Sequence, residues 1–186
     1  MADDLLKFFN KAFKKIEKQV AYASVLAANS IAADVKTGVE RQLKTDIDRP
    51  TPFTQKAFKV TRANKTTLAA TVSIKPLQAN YLKYQIEGGT RRAKSLVIPR
   101  KKAKNKYGNL PKGKLSKLSS QGKTYVADGL VIQQMKTKTK PLAYLTKKSA
   151  TYKQRFKFFE RGHSTAKKVA KLHVKSAIRK ALATAR

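Results

Sequence analysis

The 186 residues include no cysteine and no tryptophan, and only 10 are aspartate or glutamate. The lack of cysteine excludes disulfide staples, thiolate metal sites and cysteine nucleophiles, and it suits a chain made in a reducing cytoplasm. Scarce acids argue against hydrolytic or acid–base catalysis, which needs titratable groups that converge with shifted pKa values. Asp46 and Asp48 stand two apart before Pro50, a spacing that suits a helix end or a contact with a lysine better than a catalytic dyad. His163 and His173 have only Glu160 as a neighbouring carboxylate in the sequence, too few ligands for zinc. No enzyme activity, cofactor or metal is expected. Long apolar runs are missing as well: the longest weakly polar stretch, Ala21 to Ala33, falls short of the roughly 20 residues that a bilayer span requires. The opening Met-Ala-Asp-Asp places acids where a signal peptide carries cations, so a soluble protein is expected.

Positive charge is what the chain has in excess. Lysine and arginine number 43, giving a formal net charge of +33 and a sequence pI near 10.6. Self-repulsion on that scale disfavours an isolated compact monomer and points to a polyanion or an acidic partner nearby. Hydrophobic residues still make up 41% of the chain, enough to keep it out of the regime in which a highly charged sequence stays disordered. A single domain over 1–186 is expected.

Leu5, Phe8, Phe9, Ala12, Phe13, Ile16 and Val20 recur at spacings of three and four, which predicts a helix from about Asp4 to Leu43. Its 40 residues would reach roughly 60 Å, more than the diameter of a globule this size, so it must bend or extend onto a neighbour. The alanine-rich segment Ala21 to Ala33 permits close packing, either on the C-terminal helix or in a subunit interface. Gly38 marks a kink in this reading, and the two prolines of Asp46 to Pro52 end the helix. Alternation over Thr67 to Ile74 predicts a strand, with Phe58 and Val60 on an antiparallel partner. Gln78 to Glu87 reads as a short helix stopped by Gly88-Gly89. Asp128-Gly129 between two apolar runs predicts a hairpin, and Leu142 to Phe159 holds at least one further strand. A final helix is expected from Ser164 or Thr165 to Ala183, with Val169, Ala170, Val174, Ala177, Ile178 and Leu182 inward. The fold class is thus α+β: a long N-terminal and a shorter C-terminal helix packed on an antiparallel β-sheet.

Residues 88–124 read as an extended, mobile basic loop interrupted by one strand at Ser95 to Pro99. No acid stands between Gly88 and Ala127, while Arg91, Arg92, Lys94, Arg100, Lys101, Lys102, Lys104, Lys106, Lys112 and Lys114 lie in its first part. These ten are the expected contacts with nucleic-acid phosphates or an acidic protein surface, and neutralising phosphates would make affinity fall steeply with salt. No helix-turn-helix, zinc-finger or aromatic RNA-binding signature accompanies them, so sequence-specific readout is not expected. Gly108 to Ser116 comes close to a phosphate-binding loop, but Leu115 replaces the magnesium-ligating hydroxyl and Pro111 removes an N–H from the cradle. Asn64-Lys65-Thr66 fits a glycosylation triplet but has no secretory context.

Four segments carry a family likeness: Thr51 to Thr54 (TPFT) after Arg-Pro, Gln85 to Arg92 (QIEGGTRR), Tyr107 to Leu110 (YGNL) and Tyr152 to Gly162 (YKQRFKFFERG). Together they resemble small basic virion proteins of tailed bacteriophages, the tail-completion or neck proteins of the minor tail protein Z type. The resemblance implies a structural virion protein, made in the host cytoplasm, that sits at the head–tail junction or upper tail as a homo-oligomeric ring. It implies packing against the portal, a head–tail adaptor, the tail tube or a terminator, with non-specific contact to genomic DNA and no membrane. It brings no catalytic residues. The alternatives are a free-standing, sequence-independent nucleic-acid-binding protein, a nuclease using Asp46 or Asp48, and a peripheral membrane protein using the Phe-containing helix Leu5 to Val20.

Overall fold

The computed structural model describes residues 2–92, 96–146 and 149–184. In chain order the elements are helix α1 (Ala2–Asp46), the single turn α2 (Pro52–Gln55), strands β1 (Phe58–Thr61) and β2 (Thr71–Ile74), and helix α3 (Pro76–Ile86). Strands β3 (Gly89–Arg92) and β4 (Leu96–Pro99), a 3-10 turn (Lys101–Ala103) and helix α4 (Lys114–Ser120) follow. Strands β5 (Thr124–Ala127), β6 (Leu130–Gln134), β7 (Thr139–Thr146) and β8 (Ser149–Tyr152) then lead into helix α5 (Phe158–Ala183). Among the described residues every strand pair is antiparallel, and the fold is α+β. Two compact units form: Met1–Leu43 with Gln55–Ala79 and Lys157–Arg186, and Lys44–Thr54 with Asn80–Phe156.

In the first unit, α1 and α5 meet through Ala23, Ala27, Ala177 and Ala181, all buried, with Leu26 packed beside them. Methyl side chains let two helix backbones approach closely, which is the packing that the alanine-rich segment predicts. Gly38 serves the same contact: α1 continues through it, and a Cβ there would lie 2.9 Å from Thr165 Oγ1 on α5. Asp34 Oδ2 and His173 Nε2 are 2.7 Å apart, so His173 has a carboxylate partner 139 residues away that sequence proximity hides.

The β1–β2 ribbon pairs Phe58 with Ile74 and Val60 with Val72, as the alternation predicts. Its second strand is shorter than expected. Asn64 Oδ1 accepts hydrogen bonds from the backbone N–H groups of Thr66 and Thr67, and Asn64 N–H donates to the Thr67 carbonyl. That turn takes up the start of the alternating segment, so ladder pairing begins only at Thr71. Asn29 on α1 clamps the ribbon by bonding both the N–H and the carbonyl of Ala63.

Helix α5 begins six residues before the expected N-cap. The Phe158 ring stacks on Phe58 at 5.6 Å between centroids, which anchors the first turn, and Glu160 complements the helix dipole there. Gly162 lies inside the helix, where a Cβ would stand 3.7 Å from Val35 of α1.

The N-terminal apolar face does not find the core that its periodicity predicts. From Leu6 to Lys18 every side chain except Ala12 is exposed, Phe8 and Phe13 at 66% each.

The second unit is built on a four-stranded sheet in the order β4-β7-β6-β5, beside the two-stranded ribbon β3-β8. Leu142 and Ala143 on β7 are fully buried, and Val131, Leu82, Ile86, Ala103 and Phe156 complete the apolar interior. Asp128 and Gly129 take φ values of 50° and 69°, the left-handed pair that a two-residue hairpin turn demands. Gly88, at φ 76°, ends α3 where the sequence places the stop.

The segment expected to be a mobile loop, 88–124, carries two strands, a 3-10 turn and a helix. The strand expected at Ser95 to Pro99 is β4, paired with β7, whereas β3 gains its hydrogen bonds from the distant β8, so local pattern alone does not reveal it.

Candidate interaction cleft and basic surface

A cleft of about 270 Å³ opens in the second unit, lined by Tyr81, Tyr84, Tyr107 and Tyr152, the guanidinium groups of Arg49 and Arg91, and Thr51, Thr54, Gln85 and Asn109. Each wall has a local cause. Thr51 Oγ1 accepts the Thr54 N–H at the start of α2, and the hydroxyls of Thr51, Thr54 and Tyr81 form a chain with 3.0 Å at each step. Tyr84 on α3 and Tyr152 on β8 lie 5.7 Å apart between ring centroids, a tilted aromatic contact. Gln85 supports the floor by accepting the backbone N–H groups of Arg155 and Phe156 at its carbonyl.

The wall holding Tyr107 and Asn109 is a turn organised by Asn105, whose Oδ1 accepts both of their backbone N–H groups. Gly108 at its tip has φ 80° and packs toward the Arg49 guanidinium. Arg49 itself binds Asp48 through Nε and Nη2, at 3.0 and 2.8 Å. The hydrogen bond from Arg49 lowers the Asp48 carboxyl below its ordinary value, and the same bond raises the guanidinium. The cleft thus offers aromatic side chains, hydroxyls, the Arg49–Asp48 ion pair and Arg91 on one surface. Among the described residues no group of three or more His, Cys, Asp or Glu could hold a metal ion.

The ten expected contact residues are spread along this unit. Arg91 and Arg92 are exposed neighbours on β3, and only Arg91 reaches the cleft. Lys94 lies outside the described residues. Arg100 is partly buried over the Tyr144 ring, 5.5 Å from its centroid. Lys101, Lys102 and Lys104 are exposed at the 3-10 turn, Lys106 sits over Tyr107 at 5.2 Å, Lys112 is exposed, and Lys114 is half-buried at the start of α4.

Sequence reasoning passed over Arg49, and also the run Lys136, Lys138 and Lys140 at the β6–β7 turn. All three lysines are exposed, and Lys136 shares a hollow with Lys123. Their every-other-residue spacing was the available signal. Gly113, in the near-match to a phosphate loop, is a left-handed residue ahead of a seven-residue helix, and the chain before it is loop and turn.

Fold and site together define an α+β protein with a tyrosine- and arginine-lined cleft on a strongly cationic unit. Comparison with protein-family models, curated proteins and solved structures finds no match. Among the described residues no helix is long and apolar enough to cross a membrane.

Proposed function

We propose that this chain is a structural virion protein of a tailed bacteriophage, a neck or tail-completion subunit at the head–tail junction that works by burying surface against neighbouring subunits. One observation carries the reading. The four segments that resemble minor tail protein Z type proteins are far apart in the sequence, yet each contributes to the same cleft: Thr51 and Thr54 from the first, Gln85 and Arg91 from the second, Tyr107 and Asn109 from the third, Tyr152 from the fourth. Segments that share a binding surface are expected to meet in this way. The exposed phenylalanines of α1 add apolar surface of the kind that marks a protein–protein contact. Portal, adaptor, tail-tube or terminator proteins and further copies of this chain in a ring are its partners in this reading.

Mass measurement of the purified chain, alone and mixed with portal and tail components, tests it. A discrete complex of defined stoichiometry is expected; a lone monomer in every mixture overturns the reading. A second reading, sequence-independent nucleic-acid binding, is favoured by the exposed cations at Arg92, Lys101, Lys102, Lys104 and Lys112. Binding to bare duplex DNA that weakens steeply with salt, with no defined assembly, would favour it over the first.

A further inference from the structure

The first unit carries a second surface, and reading it as a docking site rests on the assembly role proposed above. Beside the alanine seam of α1 and α5 lies an open groove of about 420 Å³. Its large apolar residues, Ile16, Val20, Val174, Ile178 and Leu182, are all exposed, from 43% at Val174 to 67% at Leu182. Val174, Ile178 and Leu182 recur every four residues and form one row along α5. Lys171, Lys175 and Arg179 each precede a member of that row by three residues, so a cationic row runs alongside the apolar one.

The stripe on α1 runs on past the groove. Phe9, Phe13, Ile16, Val20, Ala23 and Ala27 alternate spacings of four and three, the pattern of a helix–helix seam. Helix α5 covers Ala23 and Ala27 and ends at Ala183, leaving Phe9, Phe13, Ile16 and Val20 exposed. The uncovered face therefore continues an interface that the fold has already formed.

We propose that this groove receives an amphipathic helix from a different protein, about 18 residues long, apolar on one face and acidic along the edge that meets Lys171, Lys175 and Arg179. Such a helix spans about 27 Å, enough to cover the exposed stripe from Phe9 to Val20, about 17 Å along α1, with about one turn to spare at each end. A second copy of this chain is the wrong occupant on charge. Helix α5 carries Glu160 as its one acid against seven lysines and arginines, and α1 sets five lysines from Lys7 to Lys18 against Glu17. Opposing two such helices places like charges face to face, which suppresses pairing.

The test uses the full chain and a labelled 18-residue peptide with leucine at the seam positions and glutamate beside them. A scrambled peptide of the same composition and a version with lysine for glutamate are the controls, read by fluorescence anisotropy. The glutamate peptide should bind at least tenfold more tightly than either control. Ile178→Ser or Val20→Ser should weaken it at least tenfold with an unchanged circular dichroism spectrum, and the double variant Lys171→Glu/Lys175→Glu should reverse the preference toward the lysine peptide. Equal binding of the scrambled peptide overturns the proposal, because charge alone would then account for the affinity. It is also overturned by a concentration-dependent dimer that Ile178→Ser dissolves, or by binding to phosphatidylglycerol vesicles that Ile178→Ser abolishes. Mass measurement with portal and tail components is a separate readout: failure there with intact peptide binding rejects the particle role and leaves the groove assigned.

Discussion

Gly38→Ala separates two physical accounts of the glycine in the middle of α1. In a solvent-facing helix interior the change stabilises by about 1 kcal/mol, because alanine loses less backbone freedom on folding. Here the added methyl would stand 2.9 Å from Thr165 Oγ1 and 3.3 Å from its Cγ2. Threonine is β-branched and stiff about χ1, so neither contact relaxes without a rotamer change or a shift of α5. Overpacking of this kind costs about 1–3 kcal/mol, so Gly38→Ala is expected to be neutral or to destabilise by up to about 2 kcal/mol. Thr165→Ala removes both obstructing atoms, and Gly38→Ala in that background should recover the stabilisation of a free helix position. The coupling between the two sites should be at least about 1 kcal/mol, measured by guanidinium chloride unfolding of the four proteins at fixed ionic strength. If Gly38→Ala alone stabilises by about 1 kcal/mol and Thr165→Ala leaves that value unchanged, the close approach of α1 and α5 at this position is refuted.

Three further outcomes are expected. Phe156, fully buried in the second unit, should cost about 3–5 kcal/mol on truncation to alanine, read from the shift in the denaturation midpoint at constant slope. Gly129→Ala should destabilise by about 1–2 kcal/mol because its φ of 69° lies in the left-handed region, whereas Asp128→Asn should be near neutral in the same assay, since asparagine tolerates that region. The Asp48 carboxyl should titrate below its ordinary 3.8, and Arg49→Gln should return it toward that value, both followed by carbon NMR. The sign is that of a lowered carboxylate: the contribution of the ion pair is present above the ordinary value and is lost as the pH falls through the lowered one.

Where the physics is local, residue spacing was enough to find the element. The long α1, the helix stopped at Gly88-Gly89, the Asp128-Gly129 hairpin and the Phe58–Val72 ribbon all rest on periodicity, turn chemistry or short-range pairing. The misreadings share one cause, dependence on partners distant in the chain. Strand β3 hides inside a basic stretch because the distant β8 supplies its hydrogen bonds, whereas β4, whose Leu-Val-Ile run is apolar, was legible there. Ser164 and Thr165 look like an N-cap but sit within α5, where Phe58 anchors the first turn and Val35 lies close to Gly162. The basic candidates were visible as composition; Arg49, which joins Arg91 in the cleft, was not, because it stands in another segment.

Composition and pattern by themselves determined that this chain folds, that it carries a large excess of positive charge and that helices flank antiparallel strands, since these depend on residue type and short-range spacing. Tertiary structure decided which apolar faces are buried. The phenylalanine stripe of α1 and the Val174–Ile178–Leu182 row satisfy the same helical period as a core, yet α5 ends too soon to cover the first and nothing among the described residues covers the second. Periodicity states that a face needs a partner, and only the arrangement of the other elements determines whether the chain supplies one.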